Sequence, residues 1–225
     1  MVIEHKINMI IPDWHIPSNV KAFTVTKEDP AYSAPYPLRQ VHQAGVVVLP
    51  YPGADRIEGD AALTHLPNVT CSIETADCLP LLVTNNLGTE VAAIHAGWKG
   101  LVAGVIEATF GSMQSQAKDC RVWIGPAICG QCFEVGEEVR EAFLAKNPVF
   151  AEYFIKGAKA GKWYGNLAKI AKMILQDLGV AKVSLSEICT IEDLRYDSYR
   201  REKGTQRRMI TGIYFIPSAL IQCTN

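Results

Sequence analysis

Glu90-Val-Ala-Ala-Ile-His95 is an apolar run that reads as a buried strand, and Ala96-Gly-Trp-Lys-Gly100 breaks it. Leu101 to Met113 follows, with Leu101, Val105, Ile106 and Thr109 spaced for one face of a helix. The same two patterns recur on either side. Upstream, Gly45-Val-Val-Val-Leu49 reads as a short strand ended by Pro50-Tyr-Pro-Gly53, and a turn-rich stretch from Gly53 to Asp60 follows it. Val69-Thr-Cys-Ser-Ile73 and Cys78-Leu-Pro-Leu-Leu-Val83 are two more strands, the second predicted at an edge or interrupted because of Pro80. Downstream come a strand at Arg121–Ile124 stopped by Gly125-Pro126, helices over Val135–Leu144 and Asn166–Leu178, and strands at Val183–Leu185 and Ile210–Phe215. The first forty residues, punctuated by prolines 12, 17, 30, 35 and 37, read as irregular. Strands outnumber helices and do not alternate with them strictly. The expectation is therefore a single mixed, layered α/β domain over residues 1–225 rather than a doubly wound sheet.

Composition bounds the function. The 225 residues are 48% hydrophobic, enough for a sizeable core without covalent staples. With 22 basic and 23 acidic side chains the net charge is −1, which predicts neither a nucleic-acid nor a membrane partner. The first residues lack the pattern of a secretory signal, and no apolar run approaches the ~18 residues of a membrane span. Seven cysteines, an odd number, read as reduced thiols in a cytoplasmic protein.

Three segments look unlike core: Arg39-Gln-Val-His42-Gln, Glu74-Thr-Ala-Asp77-Cys78-Leu-Pro, and Ile94-His95-Ala-Gly-Trp-Lys99-Gly. Each sets one soft or borderline metal ligand at a strand end, where α/β proteins collect functional groups. Two imidazoles and a thiolate suit a three-ligand catalytic zinc site with a position left for water, and copper takes the same donors. The intervals, 36 residues (42 to 78) and 17 (78 to 95), match no metal signature, and a buried cysteine serves equally well as a small hydrophobe. Lys99 and the amides after Gly97 stand at a helix mouth, an anion pocket or simply a tight connection with a solvated lysine. Cys129-Gly-Gln-Cys132 is a redox pair or half of a zinc ribbon whose second half is missing from the sequence as a CxxC. Cys71 and Cys120 read as packing residues. Asp197 to Arg208 gathers four arginines and a lysine around Tyr199, suiting phosphate or carboxylate groups, or else a solvated basic loop.

Taken in order, Arg39-Gln-Val-His42, Gly59-Asp-Ala61, Thr75-Ala-Asp-Cys-Leu-Pro80, His95-Ala-Gly-Trp-Lys-Gly100, Ile124-Gly-Pro-Ala-Ile128 with Phe133-Glu-Val-Gly136, and Ser198-Tyr-Arg-Arg201 resemble one family. It is known as multicopper polyphenol oxidoreductase (laccase-like), YfiH-like purine nucleoside phosphorylase, and peptidoglycan editing factor. The resemblance implies a layered α/β domain similar to a toxin-type cysteine hydrolase. It implies a metal and catalytic set of His42, Cys78 and His95, with Zn2+ as the metal and Cu2+ the other metal of laccase-type members. The implied activities are phosphorolysis of adenosine, inosine and methylthioadenosine, and deamination of adenosine. Nucleoside and phosphate are then the partners, the chain being a monomer or homodimer. Arg39, Asp77, Lys99, Tyr199, Arg200 and Arg201 are the residues expected to hold phosphate or substrate. Two positions depart from the family text: Thr205-Gln-Arg-Arg208 where Thr-Gly-Arg is usual, and Asn166-Leu where Asp-Leu is common.

Two other reactions compete with this expectation. A cysteine-type amidase would use Cys78 as nucleophile and a histidine as base, removing L-serine from a peptidoglycan precursor. A copper-dependent phenol oxidase is less attractive, because only His42 and His95 of five histidines fall in the matched segments. A binding module without catalysis is the remaining alternative.

Overall fold

A computed structural model describes residues 9–25, 34–51 and 56–217. His5, Pro30, Cys223 and the start of the turn-rich stretch at 53–55 lie outside the described residues. The chain runs β1 (Met9–Ile10), β2 (Val20–Val25), β3 (Leu38–Arg39), β4 (Val46–Val48), β5 (Ile57–Glu58), β6 (Ala61–Thr64), β7 (Cys71–Thr75), β8 (Leu79–Asn85) and β9 (Val91–Ala96). There follow α1 (Trp98–Ala103), α2 (Val105–Ser112), β10 (Cys120–Ile124), β11 (Glu134–Gly136), α3 (Glu137–Lys146), β12 (Phe154–Lys156) and β13 (Lys162–Gly165). The last elements are α4 (Leu167–Asp177), β14 (Lys182–Leu185) and β15 (Met209–Phe215).

A six-stranded mixed sheet, ordered β14-β10-β8-β9-β6-β4, is the middle layer. A four-stranded antiparallel sheet, β1-β2-β15-β7, covers one face, and the helices cover the other. The side-chain period of two explains why one sheet serves both layers. Ala61, Leu63, Leu81, Val83, Ala92 and Ile94 enter the core shared with Leu101, Ile106, Ile170 and Ile174 of the helices. Their alternates Ala62, Leu82, Val91, Ala93 and Trp123 enter the core shared with Cys71, Ile73 and Ile213 of the second sheet. Strands buried on both faces read as continuous apolar runs. That is how β8 and β9 read.

Four expectations need correcting. Pro80 does not put its strand at an edge, because β8 sits between β9 and β10. The proline occupies the second position of β8, and its carbonyl accepts from Gly125, one residue past the end of β10, so its missing N–H falls outside that ladder. The helix expected over Leu101–Met113 begins earlier, at Trp98, and is two helices. Gly104, at φ 90°, ends α1 and starts α2 with a left-handed turn that only glycine adopts at little cost. The helix expected over Val135–Leu144 starts at Glu137, because Glu134–Gly136 pairs with β13. The N-terminal region is not wholly irregular: β2 fits between β1 and β15.

Leu81 is wholly buried in β8, opposite Ile94 of β9 and Ile124 of β10. Leu81→Ala should lower the unfolding free energy by roughly 2–5 kcal/mol, read from chemical denaturation. A change below about 1 kcal/mol would mean that this layer is not close-packed.

Candidate metal and catalytic site

Antiparallel pairing brings distant parts of the chain to one edge of the middle sheet. Leu79, the first residue of β8, lies opposite Ala96, the last of β9, and Ala61, the first of β6, lies opposite Ile94. Asp60, Cys78 and His95 therefore sit together at strand ends although the sequence separates them. His42 reaches them from the loop between β3 and β4. One ligand atom each from His42, Cys78 and His95 all lie within 4.8 Å of one another. The imidazoles cross nearly at right angles, 84°, with centroids 4.7 Å apart.

Asp60 holds this arrangement. Its carboxylate, wholly buried, accepts the backbone N–H groups of Val41 (3.2 Å), His42 (2.9 Å) and Gln43 (2.8 Å). It also lies 2.8 Å from Nδ1 of His95, whose other nitrogen is left to face Cys78. His42 takes φ 61°, a costly conformation for a side chain of its size, and the three N–H bonds to one carboxylate offset that cost. Gln40 ties the same loop to β7 by a pair of 2.7 Å bonds with the backbone of Glu74. Gly97 completes the fit: a Cβ there would stand 2.9 Å from Cys78 Sγ and 3.3 Å from His42 Cδ2.

The site is electrostatically prepared. Burial alone would push the Cys78 thiol up, yet hydrogen bonds and charge from His42 and His95 bring it down to about 6. Burial would lower His95, but its hydrogen bond to Asp60 and its contact with Cys78 raise it to about 9. Burial raises the Asp60 carboxyl, and the His95 bond followed by the loop N–H groups outweighs it, so Asp60 lies below the ordinary carboxylate range. At neutral pH the group is thus a carboxylate, an imidazolium and a thiolate in a row. Two other thiols show the opposite: burial pushes Cys120 up to about 12 and Cys71 higher still. Both thiols are packed in the interior.

Above these groups opens a cavity of about 590 Å³. Leu38, Trp98, Ile128, Phe133 and Leu167 give it apolar walls, and Arg39, Arg56, Arg200 and Arg208 give it cationic ones. Of the residues expected to hold substrate, Arg39, Asp77, Tyr199 and Arg200 line this cavity. Arg39 pairs with Glu58 at 2.8 Å, and Arg200 donates to the Glu134 carbonyl at 3.0 Å beside the Phe133 ring. Asp77, at φ 85°, accepts from Thr190 Oγ1 (2.6 Å) and the Arg200 N–H (2.7 Å), which shapes the turn that presents Cys78. The structure does not bring Lys99 or Arg201 to the cavity wall. Lys99 is exposed above the Trp98 ring, on a helix of only six residues, and Arg201 is spent on the carbonyls of Thr190, Ile191 and Tyr196. Asn166 caps α4 by accepting from Lys169 at 3.0 Å. Asp60 has no role in the sequence pattern beyond its place in Gly59-Asp-Ala, and Arg208, one arginine of the basic stretch from Asp197, is the member besides Arg200 that reaches the cavity.

The family model described as multi-copper polyphenol oxidoreductase laccase matches residues 18–216. The chain belongs to this family. A Haemophilus influenzae protein named purine nucleoside phosphorylase is 36% identical over 92% of this chain and 98% of its own length. The Escherichia coli protein named purine nucleoside phosphorylase YfiH is 39% identical over 87% of this chain and 79% of its own. Among solved structures, a Neisseria meningitidis protein of family DUF152 superposes with TM-score 0.85 at 31% identity, covering 93% of this chain and all of that one. A Bacillus licheniformis YfiH structure shares the fold at TM-score 0.78 and 21% identity, over 87% of this chain and 92% of that one. The mixed, layered α/β architecture is the family's.

In metal-free protein, the rate of Cys78 alkylation should rise through pH about 6 and be level between about pH 7 and 8, where an ordinary thiol near 8.5 is still gaining reactivity. Asp60→Asn removes the charge that keeps His95 protonated, so the midpoint should move upward. A midpoint unmoved by Asp60→Asn would remove Asp60 from the electrostatic chain.

Proposed function

We propose that this chain is a zinc-dependent purine nucleoside phosphorylase that acts on adenosine, inosine and methylthioadenosine and also deaminates adenosine. The observation that carries the reading is the convergence of two imidazoles and one low-pKa thiol beneath a cavity with both apolar and cationic walls. Relatives named purine nucleoside phosphorylase, aligned over most of the chain, support it.

The donors fit the ion: nitrogen, nitrogen and thiolate are borderline-soft ligands, and a set of three leaves one position open. Bound there, zinc would act as a Lewis acid and acidify a water. The remaining roles belong to the chain. Asp60 fixes the His95 ring by its Nδ1 bond and directs the other nitrogen toward Cys78. Phe133, Ile128, Leu167 and Trp98 offer flat apolar surface for a purine and exclude water from it. Arg39, Arg200 and Arg208 present guanidinium groups for phosphate, which displaces the base at C1′ to give ribose 1-phosphate. In deamination, water replaces the amino group at C6 and ammonia leaves.

One observation favours a second reading. Cys78, His95 and Asp60 also form a nucleophile, a general acid–base and its orienting carboxylate, the arrangement a cysteine-type amidase needs. Chelation separates the two: it should abolish nucleoside turnover, with zinc restoring it, whereas thiol alkylation in metal-free buffer should abolish amide cleavage.

Cys78→Ala and His95→Ala should lower kcat/KM for inosine phosphorolysis by roughly 10²–10⁴-fold. Arg208→Ala should raise the KM for phosphate, while Lys99→Ala leaves it unchanged. Full phosphorolysis by Cys78→Ala would dismiss the proposal.

A further inference from the structure

The sequence offers Cys129-Gly-Gln-Cys132 without a second half. The fold supplies one. An isolated parallel bridge joins Ala127 to Cys189, with the Thr190 N–H on the Ala127 carbonyl at 3.0 Å and the Ala127 N–H on the Ile188 carbonyl at 3.2 Å. This sets Cys129-x-x-Cys132 beside Cys189-x-x-Glu192. One ligand atom each from Cys129, Cys132, Cys189 and Glu192 all lie within 4.8 Å of one another. No member of this set belongs to the His42–Cys78–His95 group.

The two half-motifs have the same local geometry. In the first, the Phe133 N–H, four residues on, donates to the Cys129 carbonyl at 3.0 Å. In the second, the Asp193 N–H, again four residues on, donates to the Cys189 carbonyl at 2.9 Å. The Cys129 N–H adds a bond to Cys189 Sγ at 3.4 Å, and Cys132 Sγ stands 3.8 Å from Glu192 Oε1. Cysteine binds metal as thiolate, and the Cys129 N–H on Cys189 Sγ favours that form there. Four ligands around zinc with bonds near 2.3 Å would stand about 3.8 Å apart, a small contraction of what is present. Arg201, bonded to the carbonyls of Thr190 and Ile191, brings a positive charge to this anionic turn.

We propose that Cys129, Cys132, Cys189 and Glu192 form a closed four-ligand structural zinc site, separate from the catalytic group. Its place in the fold gives it a purpose. Ile128 and Phe133, which flank the first half, line the cavity, and Thr190, next to Cys189, donates to Asp77 behind Cys78. A metal here fastens two loops, 60 residues apart in sequence, that together form one wall of the cavity. Three thiolates and a carboxylate match zinc better than a hard cation.

The test uses the full chain carrying His42→Ala and Cys78→Ala, purified anaerobically with reductant. Removing the first site lets failure of the catalytic-zinc reading and failure of this one be told apart. Elemental analysis should find one zinc per chain. Exchange with cobalt should give thiolate-to-metal absorption that falls by about a third when Cys132→Ser removes one of three sulfurs. Since deleting a thiol risks misfolding, Glu192→Gln at an exposed position is the second variant. It should keep the circular dichroism of its parent while zinc affinity drops at least roughly tenfold. The proposal is overturned if the reduced double variant takes up neither zinc nor cobalt, or if Glu192→Gln binds as tightly as its parent. A disulfide among the three cysteines in protein trapped with a thiol-blocking reagent at lysis would overturn it as well.

Discussion

A single buried carboxylate imposes the geometry of the sheet edge that gathers His42, Cys78 and His95. Asp60 has no contact with water, so its charge must be met inside the protein, and four groups meet it: three consecutive N–H groups of the His42 loop and the imidazole of His95. Those bonds do two separate things. They hold a histidine in a left-handed conformation at the rim, and they hold a second histidine protonated in the interior. Neither would persist alone. The His42 loop has no regular structure to support it, and burial by itself would strip the proton from His95.

The sheet makes that carboxylate available. Because β8 and β6 both run antiparallel to β9, the starts of the first two and the end of the third fall on one edge. Both faces of these strands are dry, so a polar group can emerge only at their ends. Asp60, Cys78 and His95 are where the apolar runs stop. The cavity opens there because Gly97, between the end of β9 and the start of α1 at Trp98, has no side chain and so leaves room for Cys78 Sγ and His42.

Much of this was legible in the residues. Apolar runs located β4, β8, β9, β10 and β15, and the helix read over Asn166–Leu178 located α4, whose Leu167, Ile170 and Ile174 enter the core. What escaped had local causes. Proline usually marks an edge, but Pro80 spends its missing N–H one residue beyond the neighbouring strand. The stripe over 101–113 stayed in phase across Gly104, so the break between α1 and α2 left no trace in the pattern. Non-local partnerships were harder. An aspartate before an alanine-rich strand looks like any turn residue until the loop at 41–43 is known to fold over it. Cys189 and Glu192 pair with Cys129 and Cys132 only because a parallel bridge joins loops that no periodicity connects. Family resemblance named His42, Cys78 and His95, but it did not say what orients them.

The same electrostatics suit Cys78 to two different tasks. A thiol brought down to about 6 by two imidazoles is a thiolate at neutral pH, and a thiolate is both a metal ligand and a nucleophile. A metal ion in the group would engage the sulfur lone pair and the free imidazole nitrogens together, so the nucleophile and its base are consumed by the act of binding. An unmetallated centre keeps the imidazolium next to the thiolate and is ready for attack on a carbonyl. On the reading proposed above, metal occupancy would decide which of the two reactions this group of side chains could perform. The Asp60 network can orient the residues in both states, since it touches only backbone N–H groups and the one imidazole nitrogen that faces away from Cys78. A metal would nevertheless have to displace the proton that Asp60 helps His95 to hold.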